Sequence, residues 1–198
     1  MSRLSIIAAS TRPGRVGPVV ARWVEAEAKA HNGFAEVEVL DLAEVDLPFM
    51  DEPHHPRLAR YVHRHTRDWS AKVAAAEAFV FVMPEYNHGY NAELKNAIDY
   101  LHHEWRHKPV GLVSYGGVSA GTRATQMITQ VVTTLGMTPI PEAVSIPFVR
   151  RFVDAGGSLV PNEGMTAAAT SMLDGLVLVN QALRGLRTAS RSAQNPPR

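Results

Sequence analysis

Three short segments concentrate residue types that bind or activate small molecules. The first, Ser10-Thr11-Arg12-Pro13-Gly14-Arg15-Val16-Gly17, brings two hydroxyls and two guanidinium groups into one turn. Ahead of a helix, whose first N–H groups are unpaired, such a turn makes an anion site. It is not a nucleotide-triphosphate loop, because no Gly-Lys-Ser/Thr follows at the required spacing. It also lacks the Gly-x-Gly-x-x-Gly that lets a pyrophosphate approach the backbone. Hydroxyls with arginines suit a terminal monophosphate. The same residues equally describe an ordinary Ser/Thr helix cap with solvated arginines.

The second segment is Pro84-Glu85-Tyr86-Asn87-His88-Gly89-Tyr90-Asn91. Pro84 fixes the chain direction, and Gly89 allows a tight approach or a positive φ. Its backbone N–H groups could face the edge of a flat ring, with Tyr86 or His88 beside it. A plain polar loop fits the composition as well. The third, Ser114-Tyr115-Gly116-Gly117-Val118-Ser119-Ala120-Gly121, offers glycines for close backbone approach and Tyr115 as an aromatic surface, or simply a structural turn.

Other patterns compete. His103-Glu104-Trp105-Arg106-His107 is a literal His-Glu-x-x-His, the pattern of a zinc hydrolase. Lys108-Pro109 follows at once, which ends a helix before His107 is held in register. Trp105 and these histidines then read as a polar helix end. Asp41 could mimic a ribose-binding acid, but without the glycine fingerprint a capping role fits better. The His and Arg residues from His54 to Arg67, interleaved with Asp51, Glu52 and Asp68, read as a solvated mixed-charge face. The chain has no cysteine, which excludes thiolate nucleophiles, disulfides and iron–sulfur clusters. Redox chemistry would need a bound organic cofactor or a metal held by His and carboxylates.

The elements that must carry these segments alternate along the chain. Strands are expected at Leu4–Ala8, Phe34–Leu40, Ala78–Met83, Val110–Tyr115 and Met137–Ser145, the last an edge strand because of Pro139 and Pro141. Helices are expected at Val16–Ala30, Leu58–Glu77, Ala92–His102, Thr122–Leu135 and Thr166–Leu186. Asp46–Arg57 reads as a loop. This α/β alternation predicts a flavodoxin-like three-layer sandwich around a five-stranded parallel sheet of order 2-1-3-4-5. Ligands bind outside the carboxyl ends of such strands, where all three segments fall. One domain over 1–188, with a disordered tail at 189–198, accounts for the 198 residues.

Composition sets the remaining bounds. A net charge of +1 gives no field to attract nucleic acid or a membrane. Leu4–Ala9 is short for a signal peptide and Arg12 and Arg15 follow at once, so a cytoplasmic location is expected.

Together, S-T-R-P-G-R-V-G, then P-E-Y-N with L-K-N-A-I-D-Y-L, then S-Y-G-G-x-x-x-G-T-R-A resemble the NADPH-dependent FMN reductases, a group that includes chromate, quinone and azo-dye reductases. The resemblance runs from about Ser5 to Pro147. It implies that Ser10, Thr11, Arg12, Arg15, Val16 and Gly17 hold the FMN phosphate. Pro84, Glu85, Tyr86 and Asn87 would line the isoalloxazine, with backbone N–H groups near its N5 and O4 edge. Tyr115, Gly116 and Gly117 would close the pyrimidine side. Hydride would pass from NADPH or NADH to flavin N5, and then electrons to free flavin, a quinone, an azo compound or a metal oxyanion. No side chain is assigned a catalytic proton transfer, and no metal is implied. A homodimer or homotetramer is implied, whose interface uses the helix carrying Leu94, Ile98 and Leu101; on the residues alone, the Leu47–His55 loop is a candidate flap over a neighbouring flavin. Departures are Ala9 and Ala120 in place of glycines, and Gly89 and Asn91 where Ser and Pro are frequent. The other readings are a flavin-binding or redox-sensing protein with little turnover and, remotely, the zinc hydrolase through His103 and His107.

Overall fold

A computed structural model describes residues 2–194. Five strands, β1 (Arg3–Ala8), β2 (Glu36–Asp41), β3 (Ala78–Pro84), β4 (Pro109–Gly116) and β5 (Thr138–Pro147), form one sheet of order β2-β1-β3-β4-β5. All four pairings are parallel. Helices α1 (Gly17–His31), α2 (Leu42–Val45), α3 (Arg64–Ala75), α4 (Ala92–Asp99), α5 (Thr122–Thr134) and α6 (Glu163–Gln194) complete the three layers. This is the expected flavodoxin-like sandwich, with β5 at the edge.

Central β3 has all seven residues buried, as a strand covered on both faces requires. One core lies under α1 and α6 and contains Val80, Val113, Trp23 and Met172. The other lies under α3, α4 and α5 and contains Phe79, Phe81, Trp69 and Trp105. Between Val110 and Leu112 the β4–β5 register skips from Pro139 to Ala143. That bulge takes up Pro141, which cannot donate to a ladder, while Pro139 stays in register opposite Val110.

Several boundaries differ from the sequence reading. The helix expected from Leu58 begins at Arg64, after a 3-10 turn at Pro56–Leu58. The Glu52 carboxylate accepts from Val62 and His63 N–H and holds the chain just ahead of α3 from a distant loop. The expected Ala92–His102 helix ends at Asp99, followed by a 3-10 turn at His103–Trp105. Trp105 is fully buried against Phe79, Phe81 and Trp69, so it is core and not a polar helix end. Leu94, Ile98 and Leu101 point into the protomer core, so the helix that carries them has only its outer face free for other contacts. The polar and half-buried Lys95, Asn96 and Asp99 form the outer face of α4. The expected tail overlaps α6, which continues to Gln194; residues 195–198 lie outside the described residues.

Candidate functional site

The three segments meet at the carboxyl edge of the sheet around a cleft of about 560 Å³, within the ordinary range for small-molecule sites. Ser10, Arg12, Arg15, Val16, Pro84, Glu85, Tyr86, Tyr115, Gly116 and Gly117 line it. Thr11, Gly17 and Asn87 do not line it; Thr11 lines a separate cleft with Leu42 and Ala97, and Asn87 is exposed at its turn.

The first segment connects β1 to α1. Pro18 sits in the first turn of α1, where a missing N–H costs nothing. The N–H groups of Val16 and Gly17 find no acceptor among the described residues. The Arg12 guanidinium is exposed and has no partner among the described residues. Arg15 behaves differently. It makes a two-pronged ion pair with Asp41, one bond of 2.8 Å, and donates to the Ser10 carbonyl at 2.6 Å. Asp41 also accepts from Ala43 N–H at 3.0 Å and caps α2, so the capping role expected for it holds. Arg15 therefore braces the loop, while Arg12 carries free charge. The Thr11 hydroxyl donates to Glu93 at 3.0 Å and turns toward α4.

The second segment is a tight turn. Tyr86 N–H donates to Gly89 O at 2.8 Å and Gly89 N–H to Tyr86 O at 3.0 Å. Asn87 and His88 both have positive φ, 48° and 72°, as a two-residue turn of this hand demands. Gly89 itself is not in that region; its space is limited because an added Cβ would meet Met127 Sδ at 3.2 Å. Of the motif's N–H groups, that of Glu85 is taken by Tyr115 O and that of Tyr86 by Gly89 O. Asn87 N–H has no acceptor among the described residues and is the one open to a ligand.

Glu85 does not point its carboxylate at the cleft as a reacting group. Its side chain, 6% exposed, accepts from Ser119 Oγ at 2.8 Å, Arg123 Nη1 at 2.6 Å and Arg123 N–H at 3.1 Å. Burial pushes the carboxyl up, but these bonds and the Arg123 charge outweigh it and hold the group below the usual carboxylate range. The second segment is thereby clamped to the third and to the start of α5. Tyr86 Oη and Ser10 Oγ, 2.9 Å apart, join the second segment to the first.

In the third segment Gly117 has open space around it, while a Cβ at Gly121 would strike Ser114 Cβ at 2.7 Å. Gly121 has φ +84° and Ala120 has φ +53°, so Ala120 holds a conformation that glycine adopts more readily. Tyr115 is nearly buried, and its hydroxyl has no hydrogen-bond partner among the described residues. Burial pushes that hydroxyl well above its ordinary pKa, so it stays a neutral donor.

A fourth wall escaped the sequence reading. Phe148, Val149, Arg150 and Arg151, in a turn after β5, line the same cleft. Arg150 donates to Gly14 O at 3.0 Å across its mouth, and the Arg151 guanidinium lies 4.6 Å from the centre of the Phe148 ring. The signal was the Arg-Arg pair directly after an edge strand that ends on the ligand-binding edge. Asn91 was noted as a departure only. Its side chain donates to Ala9 O and Glu93, both at 2.8 Å, and ties the end of β1 to α4.

The residues fit FMN. Unpaired N–H groups, Arg12 and the Arg150–Arg151 pair supply a pole for a phosphate dianion. Tyr86, Tyr115 and Phe148 supply aromatic surface, and the Tyr115 hydroxyl is an orphaned buried donor. The family model described as NADPH-dependent FMN reductase matches residues 2–150. The chain belongs to that family. Its oxidoreductases work with FMN and a nicotinamide. An NAD(P)H-dependent FMN reductase of Schizosaccharomyces pombe is 42% identical over 127 residues, 63% of this chain and 63% of that protein, so the match spans less than two thirds of that relative. NAD(P)H-dependent FMN reductase LOT6 of Saccharomyces cerevisiae is 36% identical over 156 residues, 73% of this chain and 81% of that protein. The flavoenzyme NAD(P)H:(acceptor) oxidoreductase FerB of Paracoccus denitrificans has the same fold: TM-score 0.72, 19% identity, covering 92% of this chain and 98% of that one. In this family member the matched span stops at Arg150, inside the fourth wall, and α6 lies beyond it.

The zinc-hydrolase reading is not supported. Glu104 accepts from Tyr61 Oη at 2.9 Å, Ser70 Oγ at 2.6 Å and His102 N–H at 3.2 Å, while His103 Nε2 lies 2.7 Å from Arg57 O. Among the described residues no cluster of three or more His, Asp or Glu could hold a metal.

Proposed function

We propose that this chain is an FMN-dependent NAD(P)H oxidoreductase, built as one FMN-binding domain over 1–188, that delivers electrons to a small acceptor. The observation that carries this reading is the convergence of three separate segments and a basic turn on one cleft that holds an orphaned buried hydroxyl. Bound FMN would supply two-electron redox chemistry that no side chain here can perform. Arg12 and the Val16 and Gly17 N–H groups bind its phosphate, with Ser10 and Thr11 beside them and Arg15 bracing the loop through Asp41. Pro84, Tyr86 and Asn87 orient the ring, with Glu85 holding them against the third segment. Tyr115, Gly116 and Gly117 close the other side, and the Tyr115 hydroxyl donates to the cofactor.

The acceptor class is free flavin, a quinone, an azo compound or a metal oxyanion, with NADPH or NADH as donor. Two copies would pair through the polar outer face of α4 and the neighbouring exposed Phe49, giving a homodimer or homotetramer. A cytoplasmic location accords with the absence, among the described residues, of a helix long and apolar enough to cross a membrane. The test is direct: the purified protein should be yellow and should bleach on anaerobic addition of NADPH or NADH. A colourless protein that refuses added FMN would overturn the proposal.

A further inference from the structure

A second cleft, of about 450 Å³, opens at the opposite, amino-terminal edge of the sheet. It lies beside the start of β4, the last turn of α3 and the far part of α6. The eight residues of β4 put it about 25 Å from the FMN cleft at 3.3 Å per residue. The flavin chemistry proposed above makes no use of it.

Four of its lining residues carry a positive charge, Arg57, Arg106, Lys108 and Arg187. Two of the cations belong to its floor. Lys108, 4% exposed, donates to the carbonyls of Val73 and Ala74 at the end of α3, at 2.7 and 3.3 Å. Arg187, 6% exposed, donates to His107 O at 2.9 Å and to Asn180, and lies 3.9 Å from Glu77. Both charges are therefore fixed in place before any ligand arrives. At the rim, the guanidinium groups of Arg57 and Arg106 have no partner among the described residues. The one acid lining the cleft, Glu104, is engaged by Tyr61, Ser70 and His102, and its single negative charge leaves the four cations in excess.

The field shows at a neighbouring group. Burial, together with the charges of His103, Arg57, Arg106 and His55, holds His102 below the ordinary histidine range. Rigid buried cations below and two free guanidinium groups above match an oxyanion with several acceptor oxygens.

We propose that this cleft is a binding site for a small phosphate-bearing anion, separate from the cofactor site, with Arg57 and Arg106 closing on the oxygens above the Lys108 and Arg187 floor.

The test is calorimetric titration of the FMN-saturated protein with inorganic pyrophosphate, the cofactor cleft being occupied. Saturable binding is expected in the wild type. Binding should be at least about tenfold weaker in the Arg57→Ala/Arg106→Ala double variant, the loss expected for about 1.4 kcal/mol of interaction. Both substituted residues are exposed, and circular dichroism melting confirms that the double variant folds. Arg106→Glu alone, which adds repulsion, should weaken binding further than Arg106→Ala. No saturable binding by the wild type, or equal binding by the double variant, would overturn the site.

Discussion

Replacing Glu85 tests whether the three segments form one site or three adjacent loops. The wild-type carboxylate receives three hydrogen bonds, from Ser119 Oγ, Arg123 Nη1 and Arg123 N–H. Hydrogen bonds to a charged group contribute about 1.5–3 kcal/mol each. Arg123 is 42% exposed, so water re-solvates its side chain and most of that bond is recovered elsewhere. What remains for Glu85→Ala is a loss of about 2–3 kcal/mol. At about 2–4 °C per kcal/mol for a chain of this size, Tm should fall by about 4–12 °C. Glu85→Gln keeps the shape but turns an amide NH2 toward either a donor side chain or the Arg123 N–H, and should lose about 1–2 kcal/mol.

The pH dependence separates charge from packing. The folded Glu85 carboxyl lies below its ordinary value, so its stabilisation is complete above the unfolded value of about 4.3. It is lost as pH falls through the lower folded value. Thermal melts of wild type and Glu85→Gln should therefore differ at pH 7 and converge in acid, where Glu85 carries a proton. FMN release, followed by fluorescence of the freed flavin, should be faster in both variants, because the Tyr86 turn is no longer held against Gly116. Equal melting at pH 7, or a gap that persists unchanged in acid, would refute the clamp.

Arg12→Ala should leave Tm within about 0.5 kcal/mol of wild type while weakening FMN binding about tenfold or more; equal retention would remove Arg12 from the phosphate site. Tyr115→Phe deletes a hydroxyl without a partner, so the FMN-free protein should be as stable or more stable, by up to about 1 kcal/mol. Its FMN affinity, measured by equilibrium titration, should nonetheless fall, and a fall in both would mean the hydroxyl serves the fold. Ala120→Gly relieves the strain at φ +53° against the entropy of glycine, so the unfolding free energy from denaturant titration should rise by up to about 1 kcal/mol.

The strand order, the edge position of β5 and ten cleft-lining residues were legible because local signals carry them: buried apolar runs, proline, and turn chemistry at strand ends. Distant contacts carried the parts that were not. The start of α3 depends on Glu52, which no local pattern connects to Val62 and His63. Arg15 read as a phosphate ligand because its partner Asp41 is remote in sequence and adjacent only once β2 lies beside β1. Of the two uses read for Gly89, close approach or positive φ, the structure shows the first, while positive φ falls on Asn87 and His88. The fourth wall was missed because β5 was expected to end at Ser145, two residues short of Pro147. Apolar spacing along α4 was legible, but spacing alone does not tell a core face from a partner face.

The inward packing of Leu94, Ile98 and Leu101 has a consequence for assembly. These side chains complete their contacts within a single copy, so the chain can fold before it meets another. Association is then a second equilibrium, built on the polar outer face of α4, and not a condition for the first. Dilution should disperse any oligomer while the protomer persists, and the melting temperature should vary little with protein concentration.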